Sequence, residues 1–263
     1  MQIVSKIEKS QLVWCPVDGT DTLYHGQVVK SGGDGVLPMG AAGGIADTDN
    51  KGVPYGVVVG TSNKTPVYNS TYGEYITAAH AQASQVARDW TGVEGMWSKG
   101  DPQAMVLVAR INPLTKIKAN FYYTDKGTAI TECTVTTGDT DGYGYTANAT
   151  QFTPVADLAT SYCRKGLNRG LYRISDDATT TARTFDRAFP YDIVIGDVFV
   201  SVPARPIGLS YVQFDTESTF IDAAVSPASN YYVVNTERLD LSEKGKEYII
   251  FTFTGDHFSF VRA

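Results

Sequence analysis

A glycine-rich stretch near the amino terminus is the first place where this sequence could do chemistry. The segment GQVVKSGGDGVLPMGAAGGIADTDNKGVPYGVVVG, residues 26–60, contains ten glycines. A phosphate-binding loop needs either a lysine and a hydroxyl residue directly after the glycines, or a long helix beginning at them. Neither follows Gly44, because Asp47, Gly52 and Pro54 interrupt any helix. The glycines therefore predict turns, which fold the valine runs on either side back on one another as strands.

Two acidic segments begin as calcium-binding loops begin. They are DTDNKG, Asp47–Gly52, and DTDGYG, Asp139–Gly144. A calcium loop of the EF-hand type also needs an oxygen ligand at its fifth position and a glutamate at its twelfth. Other residues occupy these positions, namely Lys51, Val58, Tyr143 and Thr150. Both segments predict solvated turns and we assign no metal ligands, with ion binding at Asp139 and Asp141 left as an alternative.

Nucleophilic catalysis has no local signature in this chain. A serine hydrolase often carries a G-x-S-x-G elbow, and none is present. The three histidines, His25, His80 and His257, are far apart and have no spacing that places two of them on one face. We therefore assign no catalytic residue and no cofactor. An enzyme whose site is assembled from distant residues stays open as an alternative.

Composition and charge indicate which classes of molecule this chain is expected to bind. The 263 residues carry 22 basic and 28 acidic side chains, for a net charge of −6. The basic residues are scattered singly among acids, whereas a nucleic-acid phosphate backbone is held by clustered lysine and arginine, so no nucleic-acid partner is expected. No run is apolar enough to predict a secretory signal or a membrane span, and three cysteines without close spacing suit reduced thiols made in a cytoplasm.

The elements that must position any site are almost all predicted to be strands. Short runs of β-branched and aromatic residues alternate with polar ones and end at glycine, proline, asparagine or aspartate. The clearest of these are Ala104–Ile111, Lys116–Thr124, Ala129–Thr137, Asp197–Ala204 and Glu247–Gly255. Only the alanine-rich run Thr77–Trp90 predicts a helix, with Thr77 as its cap. The expected fold class is mainly β with little helix.

The chain is predicted to divide into three parts. Residues 1–21 form an extended N-terminal arm, because apolar side chains such as Ile3, Val4 and Trp14 precede the first clear turn. Such an arm packs either on its own body or on the sheet edge of a neighbouring subunit. Residues 22–137 form a β-rich domain, and residues 138–263 form a second β-rich domain or extension after a polar, tyrosine-rich loop at residues 137–154.

Two blocks of the sequence resemble one family of virus proteins. The run from Leu23 to Gly60 combines a GQVV strand, a turn-rich segment and a valine-rich strand, and RDWTGVEGMWSKGDPQAMVLVARINPLTKIKANFYY, Arg88–Tyr123, contains the elements GVEGM, KGDP and INP. Together they resemble the β-domain of tailed-phage capsid decoration proteins, also called head auxiliary or cement proteins. The resemblance covers about Leu23–Tyr123 and implies a β-barrel or β-tulip-like domain.

The resemblance also implies a function and partners. Decoration proteins bind the outside of the phage head and stabilise the capsid by bridging major capsid subunits. We accordingly expect a virion structural protein on the capsid surface, synthesised in the host cytoplasm, that partners the major capsid protein and itself, as a homo-trimer or dimer. It is not expected to be an enzyme or to bind a membrane. Several weak contacts per subunit multiply within such an oligomer.

Two sets of apolar residues are the candidate contact sites. Ile3, Val4 and Trp14 belong to the arm, and Tyr143 and Tyr145 belong to the tyrosine-rich loop. Tyrosine presents an apolar ring with a polar end, which suits both protein interfaces and sugar surfaces. A carbohydrate-binding or receptor-binding module of a fibre or head surface is therefore the alternative function.

Overall fold

The structure is a computed structural model of the whole chain. The residues that it describes are 1–17, 22–31, 35–39, 53–61, 67–69, 73–77, 105–121, 130–138, 142–148, 159–175, 179–214, 220–224 and 232–255. They form two compact units. The first comprises Met1–Ile117, Phe214–Phe220 and Thr254–Ala263, and the second comprises Lys118–Gln213 and Ile221–Phe253.

The described part of the first unit consists of short strands and one 3-10 turn, Lys9–Gln11. Its strands are β1 (Gln2–Ile3), β2 (Leu12–Pro16), β3 (Thr22–Tyr24), β4 (Val28–Ser31), β5 (Val36–Pro38), β6 (Pro54–Thr61), β7 (Val67–Asn69), β8 (Gly73–Thr77) and β9 (Met105–Arg110). One sheet has the strand order β2-β9-β6-β4-β5, and a smaller one has the order β3-β8-β7. The prediction of a mainly β chain is confirmed.

The larger of these sheets, which we call the first curled sheet, bends until its two outer strands meet. Val17, directly after β2, forms a bridge with Val36 in β5. Inside lies a core of small and β-branched side chains, Cys15, Val17, Leu23, Val29, Val36, Val58, Val106 and Val108. Barrel-like closure of this kind removes exposed sheet edges and buries one face of every strand.

The glycine-rich stretch folds as its valines predict. Strand β4 pairs antiparallel with β6, so that Val28 lies opposite Val57 and Val29 lies opposite Gly56. All three valines are fully buried. Residues 40–52, with most of the glycines and the acidic segment Asp47–Gly52, lie outside the described residues.

The second unit also consists of strands. They are β10 (Ile117–Asn120, which begins at the last residue of the first unit's long segment), β11 (Thr131–Gly138), β12 (Gly144–Ala147), β13 (Thr160–Lys165), β14 (Gly170–Arg173), β15 (Ala182–Thr184), β16 (Val198–Val202), β17 (Gly208–Phe214), β18 (Ile221–Ala224), β19 (Tyr232–Asp240) and β20 (Tyr248–Phe253). The five strands predicted most clearly from the sequence correspond to β9, β10, β11, β16 and β20.

A six-stranded sheet of the second unit, which we call the second curled sheet, has the order β14-β13-β16-β11-β12-β15. It also closes, because Ile174 after β14 bridges Phe185 after β15, and the N–H of Ser175 donates to Thr184 O at 2.8 Å. Its core is largely aromatic, with Tyr145, Tyr172, Phe185, Phe189 and Phe199. The strands β10-β20-β19-β17-β18 follow one another in a separate sheet.

Three sequence expectations differ from this arrangement. The boundary expected at residue 138 falls inside β11, which pairs with both β12 and β16, and the division into units follows Ile117 instead. The long loop predicted at residues 137–154 contains β12, because Tyr145 and Ala147 alternate into the core. Thr77, expected to cap a helix, is the last residue of strand β8, and the remainder of that predicted helix, residues 78–90, lies outside the described residues.

The predicted N-terminal arm packs on its own unit. Strand β2 pairs antiparallel with β9 along its whole length, from Leu12 opposite Ala109 to Pro16 opposite Met105. Of the two arrangements expected for the arm, the described residues 1–17 adopt the one in which it belongs to its own sheet. Residues 18–21 lie outside the described residues.

Candidate functional site

The second curled sheet brings three loops to one of its ends. Strand β16 is antiparallel to both β11 and β13, and its first residue, Val198, lies opposite Thr134 in the middle of β11 and Lys165 at the end of β13. Gly138, the last residue of β11, lies against the backbone of Ile193 in the loop that enters β16. The loops that leave β11 and β13 therefore emerge beside the loop that enters β16. Side chains from all three loops can form one surface there.

That end carries exposed apolar side chains from each of the three loops. Their exposed fractions are 45% for Tyr143, 74% for Leu167, 57% for Tyr191, 56% for Val194 and 75% for Ile195. We call this set the end surface. Single exposed apolar residues are common on proteins, whereas several of them on loops at one end of a sheet form a candidate contact surface.

The loop that enters β16 is fixed in position. The side chain of Ile193 is buried in the core, so its neighbours must point outward. The N–H of Val194 donates to Asp197 Oδ2 at 3.1 Å, and the N–H of Asp197 donates to Val194 O at 3.1 Å. Gly196 takes a φ of +92°, a conformation that glycine adopts at little cost, and its N–H donates to Val135 O. The exposure of Val194 and Ile195 thus follows from a hydrogen-bonded turn.

A buried asparagine joins two of the loops. The Asn168 side chain donates from Nδ2 to Tyr191 O at 2.8 Å, and its Oδ1 accepts from the Tyr191 N–H at 3.1 Å. Asn168 is almost fully buried, so its side of both bonds is shielded from water. The same residue directly follows Leu167 in the β13–β14 turn. The bidentate contact therefore holds Leu167 and Tyr191 on the same part of the surface.

Tyr143, one of the predicted contact residues, belongs to the end surface. The N–H of Phe185 donates to Tyr143 O and the N–H of Phe189 donates to Gly142 O, both at 2.8 Å. These bonds tie the β11–β12 loop to the segment that leads to Tyr191. The side chain of Tyr143 remains almost half exposed.

Tyr145, the other predicted tyrosine, is not available as a contact residue. It is 3% exposed, and its ring stacks on Phe199 with centroids 4.6 Å apart. Its hydroxyl lies 3.5 Å from Cys133 Sγ, and burial, with a smaller effect of the Cys133 charge, raises the pKa of Tyr145 well above its usual range. The expectation is corrected: on β12 the side chain of residue 145 points into the core.

The first unit presents a smaller apolar surface of its own. Asn112 Oδ1 accepts from the Leu114 N–H at 2.9 Å, and the N–H of Thr115 donates to Asn112 O at 2.9 Å, which fixes the turn between β9 and β10. Leu114 at its tip is 82% exposed. The N–H of Val4 donates to Lys116 O, so Val4, 42% exposed, adjoins this turn. We call Val4 and Leu114 the turn surface.

The other two predicted arm residues are less accessible. Ile3 lies in β1 and is half-buried. Trp14 lies in β2 opposite Leu107 and is also half-buried. Val4 is therefore the one member of the predicted arm set that is exposed in the structure.

The cysteine thiols are the ionisable groups whose surroundings are described most fully. Burial raises the pKa of each cysteine, that of Cys163 to about 11, with the charge of Asp197 also contributing there, so the three thiols are protonated at neutral pH. Within the described ranges no cluster of histidine, cysteine, aspartate and glutamate could hold a metal ion. His25 is exposed, and His80, His257, Asp139 and Asp141 lie outside those ranges. No helix in the described part of the chain is long and apolar enough to cross a membrane.

Several charged side chains of the second unit form hydrogen bonds and ion pairs with one another. Arg164 donates from Nη1 to Glu132 Oε2 at 2.5 Å, from Nη2 to Glu247 Oε1, and from Nε to Leu241 O at 2.8 Å. Lys244 Nζ donates to Glu132 Oε1 at 2.9 Å. Glu247 is almost fully buried, so these bonds offset its loss of hydration. The group joins β11, β13 and the β19–β20 loop and is structural in character.

Comparison with known proteins finds no protein family, no curated protein and no solved structure that matches this chain. The resemblance noted in the sequence therefore stays an expectation.

Sequence reasoning did not single out most of the residues of these surfaces. Leu114, Leu167, Tyr191, Val194 and Ile195 read as ordinary strand or loop residues. Two local signals were present. NPL places a leucine after an asparagine-proline turn, and DIVIGD places an apolar run between two aspartates that favour turns.

Proposed function

We propose that this protein is a virion structural protein that binds the outside of a phage head and stabilises the capsid by bridging major capsid subunits. The observation that carries the proposal is that each unit presents its own fixed, exposed apolar surface: the turn surface in the first and the end surface in the second. A protein that bridges needs at least two contact surfaces, whereas an enzyme needs only one pocket.

The physical argument rests on many weak contacts. Each surface is too small to give tight binding by itself, because specific interfaces bury about 800 Å² per partner. On a lattice that repeats its subunits, a second contact becomes intramolecular and the combined affinity rises by about 10² to 10⁴. Apolar side chains on hydrogen-bonded turns serve this purpose well, because little freedom is lost when they bind.

The sequence resemblance to decoration proteins is a separate argument for the same proposal. The turn surface contains Leu114, which follows the INP element of the second resembling block. In the structure that element forms the hydrogen-bonded turn that exposes Leu114. We therefore assign the turn surface to contact with the head.

The test is to locate the protein on the phage particle that encodes it and to measure its binding to heads. Cryo-EM should place density for the chain on the outside of the capsid. In co-sedimentation with heads that lack the protein, Leu114→Asp should bind at least about tenfold more weakly than wild type. Ile207→Asp is the matched control, because Ile207 is 75% exposed but belongs to neither surface.

Three results would overturn the proposal. They are the presence of the protein in the tail, its absence from the virion, and wild-type binding to heads by the Leu114→Asp variant.

A second candidate, a carbohydrate-binding or receptor-binding module, is favoured by one observation. Tyr143 and Tyr191 are exposed at the same end of the second curled sheet, and paired exposed rings can stack on the apolar faces of sugars. On a glycan array, wild type should then bind a defined class of glycan, and Tyr143→Ala and Tyr191→Ala should each abolish the signal. An array on which wild type binds no glycan would exclude this candidate. Unreduced adsorption of phage that carry both Tyr143→Ala and Tyr191→Ala would also exclude it.

A further inference from the structure

We propose that the second curled sheet is a separate module inserted into a scaffold of two five-stranded sheets of the same design, and that head contact belongs to the scaffold. The inserted module, which we call the insert, comprises β11 to β16. One scaffold sheet is the first curled sheet, and the other is β10-β20-β19-β17-β18, which we call the host sheet. The assignment of head contact rests on the proposed function, whereas the architecture does not.

The first curled sheet and the host sheet have the same strand order. In chain order the strands of the first are β2, β4, β5, β6 and β9, and their order in the sheet is one-five-four-two-three. The strands of the host sheet are β10, β17, β18, β19 and β20, and their order is again one-five-four-two-three. In both sheets the fourth strand lies beside the second and not beside the third. Strands that follow one another in sequence more often pair directly, so this order is a specific feature that the two sheets share.

Both sheets also close through the same contact. Val17, directly after the first strand of the first curled sheet, forms a parallel bridge with Val36, the first residue of the third strand. Phe121, directly after the first strand of the host sheet, forms a parallel bridge with Ile221, the first residue of its third strand. All four side chains are buried. The host sheet is therefore closed in the same way as the first curled sheet.

A β-bulge occupies the same place in the two sheets. The pairing of the fourth strand with the fifth skips one residue, which is Val59 in the first curled sheet and Glu237 in the host sheet. In both, the fifth strand has six residues and the bulge lies opposite the step between its third and fourth residues. Bulges are specific features that related sheets keep. Agreement in strand order, closure and bulge indicates that the two sheets are copies of one module.

The amino-acid sequences of the two copies do not show this relation directly. The fifth strands read MVLVAR and YIIFTF, and no position has the same residue in both. The buried positions correspond nevertheless. Val106 and Val108 in one strand, and Ile249 and Phe251 in the other, are the second and fourth residues, and all are fully buried. The two strands therefore share the alternation that places one side chain in two inside the sheet.

The insert lies between the first and second strands of the host sheet. Strand β10 ends at Asn120 and β17 begins at Gly208, and β11 to β16 all fall between them. The corresponding connection of the first curled sheet, from Pro16 to Val28, contains only β3 among the described strands. The second copy of the module thus differs from the first by an added sheet at one connection.

The insert has the properties of a module that folds by itself. The chain enters and leaves it at one end, because Thr131 at the start of β11 lies opposite Ser201 near the end of β16. Chain ends that lie close together let a domain be inserted into another one. The insert also has a core of its own, whose members all fall between Cys133 and Phe199.

A polar contact attaches the insert to the host sheet. Arg164 of β13 forms an ion pair with Glu247 and donates from Nε to Leu241 O, both in the β19–β20 loop. Contacts between domains are commonly more polar than domain cores. The contact can therefore hold the insert in place while each sheet keeps its own cooperative unfolding.

The insertion separates the two candidate contact surfaces. Leu114 lies in the connection from the last strand of the first curled sheet to the first strand of the host sheet, so it belongs to the scaffold. The end surface belongs to the insert. Since we assign head contact to the turn surface, head binding should not require a folded insert.

Hydrogen exchange of the full-length protein, measured by mass spectrometry, tests the insertion. Phe199 in the insert and Phe251 in the host sheet are both fully buried, so their alanine variants are a matched pair. Phe199→Ala should raise exchange rates in β11 to β16 at least about 100-fold and leave those in β10 and β17 to β20 within about tenfold of wild type. Phe251→Ala should do the reverse. Exchange of β10 with β17 to β20, and not with the adjoining β11, is the signature of an insertion.

Co-sedimentation with phage heads tests the assignment of head contact. It is measured in urea at a concentration at which hydrogen exchange shows only the insert of Phe199→Ala to be unfolded. The variant should bind heads as wild type does in the same urea, because Leu114 is outside the insert.

Three results would overturn the inference. Phe199→Ala could raise exchange equally in the insert and the host sheet, or no urea concentration could unfold its insert alone; either result would mean that the two sheets are one cooperative unit. Loss of head binding by Phe199→Ala, with wild type still bound, would contradict the assignment of head contact to the scaffold. A wild type that does not bind heads refutes the proposed function, and the exchange result then decides the insertion by itself.

Discussion

The two curled sheets fill their interiors in opposite ways. The first is packed with small and β-branched side chains, among them Val58, Val106 and Val108. The second is packed with rings, and Phe185 and Phe189 lie edge to face with centroids 4.8 Å apart. Small side chains let the strands that face each other across the interior lie close together, whereas rings hold facing strands further apart. We infer that the first sheet is the more sensitive to added atoms and the second to removed ones.

The second unit also contains a buried ion pair. Arg164 binds two glutamates at once, and one of them, Glu247, is shielded from solvent. Buried ion pairs gain little free energy over an apolar pair, but removal of one partner leaves the other charge without compensation. The second unit is therefore the one in which single substitutions should have the largest effects.

Removal of a ring from the second curled sheet should have the largest effect. Phe199→Ala should lower the free energy of unfolding by about 4 kcal/mol, because Phe199 is fully buried and touches Tyr145, Phe185 and Phe189. Val58→Ala in the first curled sheet should cost only about 2 kcal/mol. Denaturant unfolding measures both. Equal losses would contradict the proposed difference between the two interiors.

Loss of a buried carboxylate should come next. Glu247→Ala should lower the free energy of unfolding by about 3 kcal/mol, because the guanidinium of Arg164 loses a buried partner. Glu243→Ala removes the exposed ion pair with Lys246 and should cost no more than about 0.5 kcal/mol. Thermal and denaturant unfolding of the two variants can be compared directly. Similar losses of unfolding free energy in the two variants would mean that the buried Arg164–Glu247 pair contributes no more to stability than an exposed ion pair.

Addition of one methyl group should distinguish two glycines of β6. A Cβ at Gly56 would lie 2.6 Å from Ala109 O in the neighbouring strand, so Gly56→Ala should cost about 2 kcal/mol. A Cβ at Gly60 would meet Leu107 at 3.6 Å, an ordinary contact, so Gly60→Ala should change stability by less than about 0.5 kcal/mol. Both are read by denaturant unfolding. A tolerated Gly56→Ala would show that the first curled sheet has room to spare.

The smallest expected effect is a loss of stability at acid pH that arises from protonation of Glu132. Burial raises the pKa of Glu132, but hydrogen bonds from Lys244 and Arg164 outweigh it, so the pKa lies below the ordinary 4.5. A lowered folded-state pKa gives stability that is complete above pH 4.5 and is lost as pH falls through the folded value. Glu132→Gln should therefore lose stability at pH 7 and show a smaller further loss at about pH 3 than wild type does. An unchanged acid dependence would contradict this assignment.

Much of the fold was predictable because the determining signals are local. Alternation of apolar and polar side chains identified β9, β11, β16 and β20 within a few residues, since a strand has one residue in two on each face. The valine runs around the glycine-rich stretch predicted the pairing of β4 with β6 for the same reason. The helix predicted at Thr77–Trp90 is not tested beyond its first residue, which the structure places in β8.

The candidate surfaces were less predictable because the exposure of a side chain depends on residues that are distant in sequence. Tyr143 and Tyr145 are alike in sequence context, yet one is exposed and the other lies in the core, because β12 is held between β11 and β15. The segments that carry Leu167 and Tyr191 are joined through the Asn168 side chain. No local pattern encodes that contact.

The sequence by itself determined that this chain is built of strands and where several of them lie. The alternation of apolar and polar residues and the residue preferences of turns involve only a few neighbouring residues, so the sequence alone reveals them. The tertiary structure alone decided which apolar residues stay outside, because closure of each curled sheet assigns every side chain to an inner or an outer face. Val194 and Ile195 face solvent, whereas Ile193 and Phe199 lie in the core.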